Sequence, residues 1–145
     1  MCRTKKSLIY ITTNKPYNYV ENLLRKEGVK TKEILFIDCI SKTVNSVPEK
    51  EPDNCLFLES PEQITSLSMT INQAIKLIPG DKVVLFDSLN VLLIYNSEQT
   101  IGKFSNFIIN RLRTKDVDAI LIALDSDMDK KIIKTVESFV DEVIK

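Results

Sequence analysis

The stretch Lys82-Val83-Val84-Leu85-Phe86-Asp87-Ser88 constrains the fold of this chain more than any other. Four apolar residues run without a break into a carboxylate and a hydroxyl, and Pro79-Gly80-Asp81 leads into them. A short apolar run with β-branched content, entered from turn residues, reads as a strand buried on both faces. Asp87 and Ser88 then stand at its carboxyl end, where open α/β sheets bind their ligands.

The rest of the chain alternates in the same manner. Leu8 to Thr12 is a predicted strand, and Thr13-Asn14-Lys15-Pro16 is the turn after it. Tyr19, Val20, Leu23 and Leu24 fall on one face of a helix that Gly28 ends. Ile34 to Ile37 is a second strand ending at Asp38, and residues 39–54, with Pro48 and Pro52, read as a surface loop. Cys55 to Leu58 is a short strand ending at Glu59-Ser60. Ser60 has the chemistry of a helix cap with Pro61 at the first helical position. Ile64, Leu67, Ile71, Ala74, Ile75 and Ile78 repeat at spacings of three and four, the inner face of that helix.

Beyond Asp87, Leu89 to Tyr95 reads as a helical turn that Asn96-Ser97-Glu98 breaks. A helix from about Thr100 to Arg113 turns Phe104, Phe107, Ile108 and Leu112 inward. Ala119 to Leu124 is a buried strand ending at Asp125-Ser126, Met128 to Phe139 a last helix, and Asp141 to Ile144 a closing strand. Strand and helix alternate throughout, so the fold class is α/β, a three-layer sandwich with a mostly parallel sheet. The 145 residues fit a single domain spanning 1–145, with no repeat and no linker.

Composition removes several classes of function. The 20 basic and 20 acidic residues cancel, and no basic run is interleaved with aromatics, so nucleic acid is not an expected partner. No apolar run approaches the ~20 residues that cross a bilayer. The run from Ser7 to Thr12 is too short for a signal-peptide core, so the expected location is cytoplasmic. There is no histidine, which excludes Ser-His-Asp and Cys-His catalysis and every His-containing metal site. Cys2, Cys39 and Cys55 are too far apart for a CxxC site, and Cys39 and Cys55 adjoin strands as small buried hydrophobes.

Val83 to Ser88 followed by Leu89-Asn90-Val91-Leu92-Leu93 resembles the metal-site strand and following turn of RecA-fold ATPases, in particular their archaeal KaiC-like branch. Other segments agree in order. Ile9 to Pro16 resembles that branch's strand after the phosphate-loop helix, and Leu35-Phe36-Ile37-Asp38-Cys39-Ile40-Ser41 its "I-D-x-x-S" strand. Ser60 to Ser68 resembles the segment leading to the metal-site strand, and the pieces from Phe104 onward resemble the tail of the domain. The resemblance implies a RecA/P-loop-NTPase-like core, with Asp87 in the position of a Mg²⁺ ligand.

The departures limit what that core can do. The glycine-rich phosphate loop needs G-x-x-x-x-G-K-[ST], and none of Gly28, Gly80 and Gly102 begins such a motif. In register with the family, the chain starts just after that loop, and Thr12-Thr13-Asn14 stands where relatives end a strand on a catalytic glutamate. In a second registration, Thr12, Thr13, Asn14 and Lys15 form a degenerate phosphate loop. Asp38, Glu59, Asp87 and Asp125 each follow a predicted strand and are expected either to converge on one sheet edge, binding a cation or pairing acid and base, or to favour the positive ends of the following helices. The candidate ligand-binding set is therefore Thr12, Thr13, Asn14, Lys15, Asp38, Glu59, Ser60, Asp87, Ser88, Asn90 and Asp125. The expectation is a degenerate, non-catalytic domain without a cofactor that binds a protein partner or copies of itself. The alternative is a sensor or ATPase subunit that binds ATP and Mg²⁺ through Asp87, with a phosphate loop from another chain.

Overall fold

The computed structural model describes residues 6–124 and 130–144. Strands β1 (Ser7–Thr12), β2 (Leu35–Asp38), β3 (Cys55–Phe57), β4 (Lys82–Asp87) and β5 (Asp118–Ile122) form one sheet in the order β3-β2-β1-β4-β5. Every pairing is parallel. The helices are α1 (Tyr17–Lys26), α2 (Ile64–Leu77), α3 (Leu89–Tyr95), α4 (Glu98–Thr114) and α5 (Lys130–Glu137). The fold is thus α/β, with helices on both faces of a parallel sheet.

The side chains of in-register neighbours in a parallel sheet share a face. On one face Ile9, Ile11, Ile37, Val84 and Phe86 pack with Leu67 and Ile71 of α2, Leu92 of α3 and Ile101, Phe104, Ile108 and Leu112 of α4. Ile132 and Val136 of α5 join this cluster, and Ile132 lies beside Gly102 of α4. Each fully buried Ile, Leu or Phe here contributes about 1.5–3 kcal/mol. On the other face Tyr10, Phe36 and Cys55 pack against Val20, Tyr17 and Leu24 of α1.

Connection handedness explains the asymmetry. Right-handed crossovers that run from β3 to β4 and from β4 to β5 place their helices on one face, while the opposite crossover from β1 to β2 places α1 on the other. Residues 39–54, between β2 and β3, contain no helix. The face under α1 is therefore covered over β1, β2 and β3 but not over β5.

Several expectations change accordingly. The strand containing Asp87 is buried on one face, at Val84 and Phe86, and only half-buried on the other. The predicted buried strand Ala119–Leu124 is an edge strand ending at Ile122, with Ile120 55% and Ile122 38% exposed and Leu124 beyond it 64% exposed. The closing strand expected over Asp141–Ile144 makes no ladder. Tyr19 and Leu23 point to solvent because α1 lies on the sheet along Val20 and Leu24. Phe107 is exposed as well, and Ile101, Ser105 and Ile109 join the buried side of α4 instead.

The segment Ser60-Pro61-Glu62 is a turn rather than a helix start, because α2 begins at Ile64 with Gln63 at its cap. The Ser60 hydroxyl accepts from Glu62 N–H within that turn. Leu58 lies beyond β3, and Cys39, Ile40 and Ser41 at the start of the loop are buried. Gly28 takes φ +83°, the left-handed conformation that ends α1 as expected.

Candidate functional site

The strand order reverses between β1 and β4, and ligands of open α/β sheets bind outside the carboxyl ends at such a point. Thr12 pairs with Asp87 there, so the two predicted groups of site residues lie side by side. Their polar atoms are largely turned on each other. Thr13 donates its N–H to the Asp87 carbonyl at 2.9 Å. Its hydroxyl lies 2.9 Å from the Ser88 carbonyl and 3.1 Å from that of Asp87, and it accepts from Ser88 N–H at 2.9 Å. The Asp87–Ser88 peptide is cis. Thr12 donates its hydroxyl to the Lys15 carbonyl at 2.6 Å, closing the turn. Thr12 and Thr13 are buried, whereas Asn14 and Lys15 are exposed. Lys15 lies 6.0 Å over the Tyr19 ring.

Asp38 is fully buried at the end of β2. One carboxylate oxygen accepts from Ile40 N–H at 2.8 Å and Ser41 N–H at 2.7 Å. The other accepts from the Ser41 hydroxyl and, at 2.7 Å, from Tyr17 N–H, the first residue of α1. A carboxylate at a helix N-terminus is stabilised by the helix dipole. Asp38 thus ties β2, its following loop and α1 together.

Asp87 faces the α1 side of the sheet, half-buried, and accepts from the Tyr10 hydroxyl at 2.8 Å. Burial, then the hydrogen bond to Asp87 and its negative charge, push the Tyr10 phenol above the usual tyrosine range. Tyr10 is therefore held as a donor. The sequence reading missed it, although its place two residues before Thr12 puts it on the same face once the β1–β4 register is known.

Glu59, just beyond β3 at the far edge of the sheet, does not join Asp87. Glu59 is exposed and forms a 2.8 Å ion pair with Lys42. Asp125 lies outside the described residues. Asn90 holds the end of the neighbouring strand instead, donating from Nδ2 to the Leu124 carbonyl at 3.1 Å and accepting from Leu124 N–H through Oδ1. No group of three or more His, Cys, Asp or Glu among the described residues is placed to hold a metal ion. Mg²⁺ is usually held by one or two carboxylates together with substrate phosphates. With Asp38 saturated, Glu59 paired and the Thr12 hydroxyl committed to Lys15, these residues do not by themselves form a Mg²⁺ site.

Cys39 and Cys55 are buried free thiols, and burial pushes both well above the ordinary thiol range. They act as apolar core residues, as expected. A groove of 1220 Å³ runs along β5, lined by that strand, by residues 140–144 and by parts of α4 and α5. No described helix is long and apolar enough to cross a membrane.

No curated protein and no solved structure matches the chain. One family model covers it almost entirely, over residues 2–145, and by that match the chain belongs to DUF7504, a family of unknown function.

Proposed function

We propose that this chain is a non-catalytic, RecA/KaiC-like domain of the cytoplasm that works by binding another protein or further copies of itself. One observation carries this reading. The polar side chains of Thr12, Thr13 and Asp38 at the strand ends are consumed by hydrogen bonds within the chain, while β5 presents Ile120 and Ile122 to solvent at the sheet edge. An enzyme or nucleotide binder instead aims a few polar groups into its ligand pocket.

The second reading keeps Asp87 as a contact for Mg²⁺ and nucleotide, with a phosphate loop supplied by another chain. It is favoured by the single described donor to this half-buried carboxylate, Tyr10. Thermal unfolding with ATP, ADP and GTP, each with and without Mg²⁺, separates the two. Ligand at a hundred times its dissociation constant stabilises a domain by about 2.7 kcal/mol, a rise of several degrees. The binding-domain reading expects no shift. A Mg²⁺-dependent shift that disappears in Asp87→Ala would overturn it.

A further inference from the structure

Residues at the β5 edge identify a kind of partner, an inference that rests on the reading of this chain as a binding domain. The sheet has two edges. β3 is three residues long, and short edge strands offer little backbone for pairing. β5 is five residues long and has none of the usual protections: no proline, no lysine, and no charge after Asp118 at its start. Its outer backbone groups have no ladder partner among the described residues. The segment Asp141–Ile144 reaches the same groove without pairing, and Val143 and Ile144 are exposed there.

Charge narrows the occupant. Asp81, Asp116, Asp118, Glu137, Asp141 and Glu142 line the groove, against three basic residues. Two of those, Lys6 and Arg113, are held by Asp118 and Asp141. Arg113, in the last turn of α4 just before β5, binds the Phe139 carbonyl and Asp141, which brings Asp141 to the end where Asp116 and Asp118 stand. A second copy of β5 fits this poorly. Its sequence, Asp118-Ala119-Ile120-Leu121-Ile122, brings an acid and no base, and two acidic rims would face each other.

We propose that β5 takes up an extended segment of another protein as a sixth strand. That segment carries alternating apolar side chains, with lysine or arginine at the end lying beside Asp116. Backbone pairing gives such a complex its affinity, and the flanking charge gives it direction and specificity.

The test uses the full chain and two synthetic peptides of alternating valine and threonine, one headed by two lysines and one by two glutamates. Binding is followed by fluorescence anisotropy, and the contact surface by amide hydrogen exchange. The expected result is that β5 amides exchange freely in the protein alone and become protected with the lysine peptide. That peptide should bind about tenfold more tightly than the glutamate peptide, with the preference shrinking at high salt. Combining Asp81→Asn, Asp116→Asn, Glu137→Gln and Glu142→Gln should remove most of the preference. Ile120→Lys, at an exposed position, should weaken binding while leaving thermal stability unchanged.

Equal binding of the two peptides, no binding at millimolar peptide, or protection on another surface would overturn the inference. So would β5 amides already protected in the free protein, which would mean that a segment of the same chain or a second copy fills the edge. The binding-domain reading fails separately, through the nucleotide-dependent shift described above.

Discussion

Asp38→Ala tests whether the strand-end carboxylate of β2 is part of the framework or part of a binding site. The substitution removes the acceptor of four hydrogen bonds, three of them from backbone N–H groups of Tyr17, Ile40 and Ser41. An orphaned buried donor costs about 1–3 kcal/mol. Ile40 and Ser41 are buried, whereas Tyr17 is only half-buried, so water can reach its N–H more readily. The expected loss is about 4 kcal/mol in a urea titration, with the slope little changed. For a domain of this size that corresponds to a fall of roughly 12 °C in Tm. Asp38→Asn keeps one oxygen for Ile40 and Ser41 but loses the acceptor facing Tyr17, and should cost about half as much. A residue kept for ligand binding behaves differently, since its removal leaves stability unchanged or raised. A loss below about 1 kcal/mol in Asp38→Ala would refute the framework role.

Three further outcomes follow from the same geometry. The Tyr10 phenol is held protonated, so its contribution to stability is whole below the ordinary value of 10.0 and is lost as pH rises through its higher folded value. Urea titrations in alkaline buffers should show that decline, and it should be shallower in Tyr10→Phe, where the raised thiols and Tyr17 still titrate. Thr13→Val removes the hydroxyl that bridges β1 to the end of β4 and should cost about 1–3 kcal/mol, read by the same titration. Cys39 and Cys55 should resist a thiol reagent in the native protein and be modified only at the rate of unfolding, followed by mass spectrometry of the labelled peptides.

The apolar runs around Ile9, Phe36 and Phe86, broken by helical periodicities, were enough to specify a parallel α/β sheet. A fully buried strand and an amphipathic helix each leave a local signature in the order of residues. Only the strand order set Asp87 beside Thr12, but the place of both at the carboxyl ends of their strands was also legible. What those groups bond to was not. That Asp38 is saturated by Tyr17, Ile40 and Ser41, and that Thr13 bonds the end of β4, depend on loop paths and on contacts between residues distant in the chain.

The same limit applies to exposure. Ala119-Ile120-Leu121-Ile122 has the composition of a central strand, and Tyr19, Leu23 and Phe107 fit an inward stripe as well as the residues that take it. Strand order and the side on which each crossover passes decide which apolar residues are covered. Among the described residues, helices are carried to one face by the β3–β4 and β4–β5 connections, only α1 lies on the other, and β5 is an edge of the sheet. The sequence by itself determined that strands and helices alternate and which ends carry polar groups, because those are properties of neighbours along the chain. Only the tertiary structure decided which polar groups are already satisfied and which apolar surface remains open, because both depend on contacts between segments far apart in sequence.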